Sequence, residues 1–291
     1  MRQLDESEWE DMLPKFLRKA IWDVSSATPV FKGKWRLVSL LTQPSADDAI
    51  KISRHGVNWL LRGHDINEFM IAMFKEHSTV ITRSLTKEIA DKKHKVLWDI
   101  GANIGGISLP LLAENNDLVS IMFEPSAEVA GRLIRNTLSN PSLLGRATVM
   151  NVALSDSMGL VKFFVSSESH NSGLAGLGHS HNRSSFPIMV QSYTGDSLVA
   201  SGACPPPDVV KIDVEGFEIG VLKGLESTLA KTHPTIIFEH ALYRLKELGR
   251  PHDEVTNFLR GIGYEVYRIE TGKPVTLDDL NGDTDFIAKK R

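Results

Sequence analysis

The chain has 291 residues, 42% of them hydrophobic and 24% charged, a balance that excludes disorder over most of its length and suits one large α/β unit with an appendage. A formal net charge of -3 excludes a general attraction to phosphate backbones, so no nucleic acid partner is expected. No apolar run reaches the ~18 residues of a membrane span, and the acidic start MRQLDESEWE is unlike a signal peptide, so a cytoplasmic protein is expected.

In chain order, Trp9, Met12, Leu13, Phe16, Leu17, Ala20 and Ile21 share one face of a predicted helix, with Pro14 at a start or break. Lys15, Arg18 and Lys19 make its other face basic, and docking on the body of the protein is the expected role. Two extended runs, 49–53 and 57–61, flank a turn at His55-Gly56 and predict a hairpin. Residues 66–85 read as helix, and the charged run 91–95 as a solvated connection. We therefore separate an N-terminal extension, 1–85, from a main domain, 86–291.

From Val96 the pattern alternates. Strands are predicted over 96–100, 118–123, 147–153, 209–213 and 235–239, with helices over 105–113, around Val129, Leu133, Ile134 and Leu138, and over 217–229. Runs at 255–259, 264–269 and 284–288 close the domain. Such alternation implies a parallel sheet with right-handed crossovers. Between 159 and 193 the rhythm breaks: β-like runs at 160–165 and 187–193 flank ESHNSGLAGLGHSHNRSS, a stretch suited to covering a ligand. Its His170, His179 and His181 lack the Cys or carboxylate partners of a zinc site and read as a solvated loop. The single cysteine, Cys204, precedes three prolines and reads as structural.

The strongest signal is VLWDIGANIGG, a strand running into a glycine-rich turn and a helix, the nucleotide position of a doubly wound sheet. Gly101 allows the sharp turn, while Gly105 and Gly106 remove side chains where helix and ligand approach. A dinucleotide fingerprint needs glycine at 103, where a pyrophosphate would come close, but that position is Asn103. A nicotinamide-dependent oxidoreductase is thereby disfavoured, and a ligand without phosphates fits better. S-adenosylmethionine needs ribose acceptors, backbone donors and nearby carboxylates. Glu124 ends the second predicted strand, 23 positions after Gly101, where it can accept from ribose hydroxyls. Asp99 can orient the turn or meet the ligand's ammonium group.

The stretches WDIGANIGG, FEPSAE, NVALSD, NSGLAGL, SYTGDSL, VVKIDVEGFEIGVLKGLE and PTIIFEH follow one another between residues 96 and 240. In that ordered combination the chain resembles the FkbM family of methyltransferases. The resemblance implies a Rossmann-like class I methyltransferase fold, a mostly parallel seven-stranded sheet flanked by helices, behind the N-terminal helical and hairpin extension. It also implies S-adenosylmethionine as donor and a small-molecule or glycan hydroxyl as acceptor. Carried over, Gly101, Asn103 and Glu124 bind the donor with Ala102, Gly105 and Pro125 beside them, and Asn151, Val152 and Ala153 lie where the adenine edge would be read. One departure is Gly195 in SYTGDSL, where the family more often has an apolar residue, leaving the role of Asp196 open.

Asp213 ends the strand VVKID and borders the same crevice, and Glu239 with His240 ends its neighbour. Two chemistries are open. Asp213 or His240 could take the acceptor proton as a general base, or Asp213 and Glu239 could hold a divalent cation such as magnesium that polarises the hydroxyl. A non-catalytic domain that only binds the donor would carry the same donor motifs.

Overall fold

The computed structural model describes residues 15–28, 34, 37–38, 50–61, 65–73, 80–166, 176–177 and 185–290. The N-terminal part contains helix α1 (Lys15–Ala27), strands β1 (Ile50–Arg54) and β2 (Val57–Leu61), and helices α2 (Ile66–Met73) and α3 (Val80–Lys92). The helix expected over 9–21 falls partly outside the described residues; the described helix continues to Ala27 and buries Trp22 edge-on against Phe69, with ring centroids 6.2 Å apart. The strands β1 and β2 pair antiparallel. His55 and Gly56 between them both have positive φ, 53° and 72°, the geometry whose twist matches a two-residue hairpin.

The main sheet has the strand order β12-β13-β11-β10-β3-β4-β5. Its strands are β3 (Val96–Ile100), β4 (Val119–Phe123), β5 (Ala147–Met150), β10 (Val209–Ile212), β11 (Thr235–His240), β12 (Tyr264–Arg268) and β13 (Thr284–Lys290). The strand β13 alone runs against its neighbours, so the sheet is mostly parallel. The chain starts at the central β3, works outward through β4 and β5, then returns to β10 on the other side of β3. That reversal opens a crevice at the carboxyl ends of β3 and β10, where ligands of such sheets bind.

Helices α4 (Ser108–Glu114) and α5 (Ala127–Leu138) follow β3 and β4. Between β5 and β10 lie β6 (Ala153–Leu154), β7 (Gly159–Ser166), β8 (Gly176–Leu177), β9 (Ser185–Tyr193) and α6 (Gly195–Ala200). The first four form a separate sheet, in which β7 and β9 pair antiparallel over eight positions. His170, His179 and His181 lie outside the described residues. The strand expected over 147–153 ends at Met150 because the chain turns there, Val152 N–H bonding Met150 O at 3.0 Å, before β6 leaves for the small sheet.

The remaining helices are α7 (Glu218–Gly224), α8 (Glu226–Thr232), α9 (Leu242–Glu247) and α10 (Glu254–Gly261). The single helix expected over 217–229 is broken at Leu225. A Cβ on the preceding Gly224 would sit 2.0 Å from the Ser155 carbonyl oxygen, so the small sheet's connection presses on the helix there. Gly195 has a similar reason: a Cβ would meet Leu225 at 2.3 Å and Trp98 at 3.2 Å. Asp196 next to it accepts from the N–H groups of Ser227 and Thr228 and caps the start of α8. Cys204 is buried, its Sγ 3.4 Å from Met150 Sδ.

Strand side chains alternate, so each strand feeds two cores. Leu97, Met122, Val209, Ile237 and Ile287 face α2 to α5 and the hairpin. Trp98, Ile121, Val210, Ile212, Phe238 and Phe286 face α6 to α8 and α10. Trp98 is fully buried, tilts against Phe123 at 5.1 Å and donates its indole N–H to Pro205 O at 3.0 Å. Trp98→Ala is expected to cost about 3–5 kcal/mol, read as a lower urea midpoint at unchanged slope; a loss under about 1 kcal/mol would show that this face repacks freely.

Candidate active site

The turn after β3 is tied to β4 from its first residues. Gly101 N–H and Ala102 N–H both reach Phe123 O at 3.0 Å. Gly101 has φ 79°, and a Cβ there would lie 1.8 Å from Asp213 O, so only glycine lets the turn pass the end of β10. Ala102 is buried in the first core, and Asn103 takes φ 51°, unusual for a residue with a side chain. Gly105 is hemmed in by Leu109 and Leu133.

That conformation aims Asn103 N–H at Glu124 Oε2, 3.1 Å away, while Ser126 N–H donates to Oε1 at 2.9 Å. Each Glu124 oxygen thus spends one acceptor site on the backbone and keeps another. Burial pushes the Glu124 carboxyl up to about 7, against the lowering effect of those two N–H groups and of Lys211. Asn151 donates to Glu124 O at 2.8 Å and Pro125 O at 3.0 Å, bracing the segment after β4. Val152 is half-buried against the second core; Ala153 is buried and packs with Phe163 and Val190 of the small sheet.

Asp99 is fully buried. It accepts from Ser108 Oγ at 2.7 Å and pairs with Lys211 at 3.2 Å, so it orients the turn from below. Lys211 was not picked out in the sequence, although it is the one charge in the apolar strand VVKI. It is 3% exposed and its ammonium reaches Gly101 O at 2.8 Å, Asp99 at 3.2 Å and Asp213 at 3.4 Å. Burial alone would lower its pKa; Asp99 and Asp213 outweigh that and raise it.

Asp213 leaves the strand with its side chain 37% exposed. The turn beyond it is strained, with Glu215 at φ 55° and Gly216 at φ 93°. Glu218 holds it by accepting from the N–H groups of Val214 at 3.3 Å and Gly216 at 3.1 Å. Glu215 accepts from Tyr243 Oη at 3.0 Å and Arg244 Nε at 2.9 Å, and burial still raises its pKa. Glu239 stands opposite Asp285 in the sheet register and shares its face with Asp213. Burial first, then the charges of Asp213 and Glu215, push its carboxyl up to about 9.

Sheet alternation brings Asp213 and Glu239 together but turns His240 away. His240 belongs to the opposite face, 3% exposed, with Nε2 3.0 Å from Leu280 O and its ring 5.6 Å from Phe286. Burial lowers its pKa. The convergence of three side chains expected at these strand ends thus reduces to two. Among the described residues, no group of three or more His, Cys, Asp or Glu side chains is placed to hold a metal ion.

A parallel sheet with its crevice at a glycine-rich turn and an acidic residue closing the next strand defines a nucleoside-binding α/β enzyme. The methyltransferase FkbM domain matches residues 99–266. The hexuronic acid methyltransferase AglP of Haloferax volcanii is 31% identical over 196 residues, covering 67% of this chain and 70% of that protein. The chain belongs to the FkbM methyltransferase family, and it is an S-adenosylmethionine-dependent enzyme. Among solved structures, methyltransferase FkbM from Methylobacillus flagellatus KT aligns at 14% identity over 92% of this chain and 58% of that one, with a TM-score of 0.42. Precorrin-6y C5,15-methyltransferase from Geobacter metallireducens GS-15 aligns at 15% identity over 72% and 87%, also with a TM-score of 0.42. Among the described residues no helix is long and apolar enough to cross a membrane. The residues present fit the donor: the spare acceptor sites of Glu124 suit a ribose diol, and the carboxylates suit a cation.

The site carries a pH signature. Burial raises the Glu218 carboxyl from its usual 4.5 to about 7. A carboxyl raised in the folded state contributes stability below its unfolded pKa and loses it as pH rises through the folded one. The stability of the protein should therefore carry a component that falls between about pH 4.5 and 7, and Glu218→Gln should flatten it in urea unfolding across that range. An unchanged pH profile in the variant would remove Glu218 from the account.

Proposed function

We propose that the enzyme transfers the donor methyl group to a hydroxyl oxygen of a sugar, free or within a glycan, with Asp213 as the base. The observation that carries this reading is the position of Asp213, the partly exposed carboxylate joined to the donor turn through Lys211. A sugar acceptor is supported by the relative named for hexuronic acid.

When bound, S-adenosylmethionine supplies a sulfonium-activated methyl group, whose carbon–sulfur bond breaks as the acceptor oxygen–carbon bond forms. Gly101, Ala102, Asn103 and Gly105 form the floor of the donor site. Glu124 would accept from the ribose hydroxyls, and Asn151 with Val152 would line the adenine end of the site. Asp213 takes the proton that the acceptor hydroxyl gives up. Lys211, paired with Asp213 at 3.4 Å, keeps that carboxylate aimed. His240 has no part in proton transfer in this reading, because its Nε2 is engaged with Leu280 O.

The test is methyl transfer from labelled donor to a panel of neutral sugars, hexuronic acids and their glycosides, with the methylated atom located by mass spectrometry. Asp213→Asn is expected to reduce turnover about a hundredfold or more and to leave donor affinity within a few fold, whereas His240→Gln stays within a few fold in turnover. Wild-type turnover in Asp213→Asn would overturn the base assignment. Activity lost on chelation and restored by magnesium would replace it with a cation held by Asp213 and Glu239.

A further inference from the structure

Three buried polar residues stand at four-residue spacing, Arg132 and Asn136 on α5 and Asn140 just beyond its end. Arg132 pairs with Asp65, at 3.3 Å, and with Glu68, both just before or within α2. Asn140 accepts from Asn58 N–H at 2.7 Å and donates to Asn58 O at 2.8 Å, clasping β2. Asn136, between them and fully buried, does something different. Its Oδ1 accepts from Leu60 N–H of β2 at 2.9 Å, and its Nδ2 donates to Ile104 O at 3.2 Å.

Ile104 sits between Asn103 and Gly105, two of the three positive-φ residues of the donor turn. One amide therefore ties the backbone of the hairpin to the backbone of the turn. A second contact runs beside it: a Cβ on Gly106 would come within 3.3 Å of Ile71 of α2. Both ends of the Asn136 amide are spent on main-chain groups, and the one at Ile104 O is buried, where an unpaired C=O costs about 1–3 kcal/mol. Neither contact can be given up cheaply.

We propose that Asn136 is a positioning residue for donor binding, and that the hairpin is thereby a working part of the donor site. This rests on the placement of the donor at the Gly101–Gly106 turn. Without the amide, Ile104 O loses its partner, and the left-handed conformation of Asn103, which aims its N–H at Glu124, loses its support. The hairpin and the turn order together: donor binding that stiffens the turn stiffens β2 through the same side chain.

The test uses the full chain and S-adenosylhomocysteine as the probe. Calorimetry is run on wild type, Asn136→Ala, Asn136→Asp, Asn140→Ala and Glu124→Ala, each first confirmed folded by its melting transition. Asn136→Ala is expected to weaken binding about tenfold or more; Asn140→Ala, which loses its bonds to Asn58 and to the Asn136 carbonyl but none to the turn, is expected to lose far less. Asn136→Asp keeps the acceptor for Leu60 N–H but not the donor to Ile104 O, and is expected to behave as Asn136→Ala. Hydrogen exchange on wild type needs no variant to fold: the probe should raise protection at 57–61 as well as at 101–107.

Protection confined to 101–107, or wild-type affinity in Asn136→Ala, would overturn the inference. Equal losses in Asn136→Ala and Asn140→Ala would also overturn it, by reducing both to general stability. If Asn136→Ala binds normally while Glu124→Ala does not, the donor placement stands and only the inference falls. If Glu124→Ala also binds normally, the donor placement itself is wrong.

Discussion

A lysine with its ammonium out of water is costly unless several acceptors compensate it, and this fold is arranged around one such group. Lys211 answers to a carbonyl of the donor turn, to the buried Asp99 and to Asp213 at the crevice mouth. Asp99 lies on β3, Gly101 just after it and Asp213 just after β10, with Gly101 110 residues before the lysine in sequence, so satisfying one ammonium fixes the end of β3 against the end of β10. Removing a single partner of such a buried pair typically costs about 3–5 kcal/mol. The geometry of the candidate site follows from that constraint.

Strand alternation divides the labour on either side of the sheet. Asp99, Lys211, Asp213, Glu239 and Asp285 occupy positions that share one face with Leu97, Val209, Ile237 and Ile287. The opposite face is given over to Trp98, Phe238, Phe286 and their helices, and His240 falls there with them. The same face that carries the chemistry is covered farther out by the N-terminal hairpin and helices, whose Trp59, Leu61 and Phe69 join its core. The N-terminal part is continuous with the enzyme's interior.

Much of this was legible in the sequence because it depends on short-range signals. Five parallel strands, the hairpin at His55-Gly56 and the turn at Gly101 follow from apolar runs and glycine placement, and the ordered motifs led to the family. What escaped depends on contacts distant in sequence. Leu225 breaks a periodic helix because Ser155 presses on Gly224. Lys211 reads as an oddity within VVKI until Asp99 and Gly101 are placed beside it. His240 follows Glu239 in sequence, but consecutive strand residues point to opposite faces, so it does not join Asp213. Asn136 reads as an ordinary polar helix residue; both of its partners are backbone groups, which leave no mark on residue type.

Through Asp213 Lys211 should act on catalysis, and through the carbonyl of the turn on donor binding. A double-mutant cycle of Lys211→Met and Asp213→Asn, with turnover and S-adenosylhomocysteine affinity measured on the folded proteins, separates the two. Lys211→Met is expected to lower turnover strongly in the wild-type background and little further in Asp213→Asn, while weakening donor affinity equally in both. Independent, fully additive losses in turnover, or undiminished donor affinity in Lys211→Met, would contradict that double role.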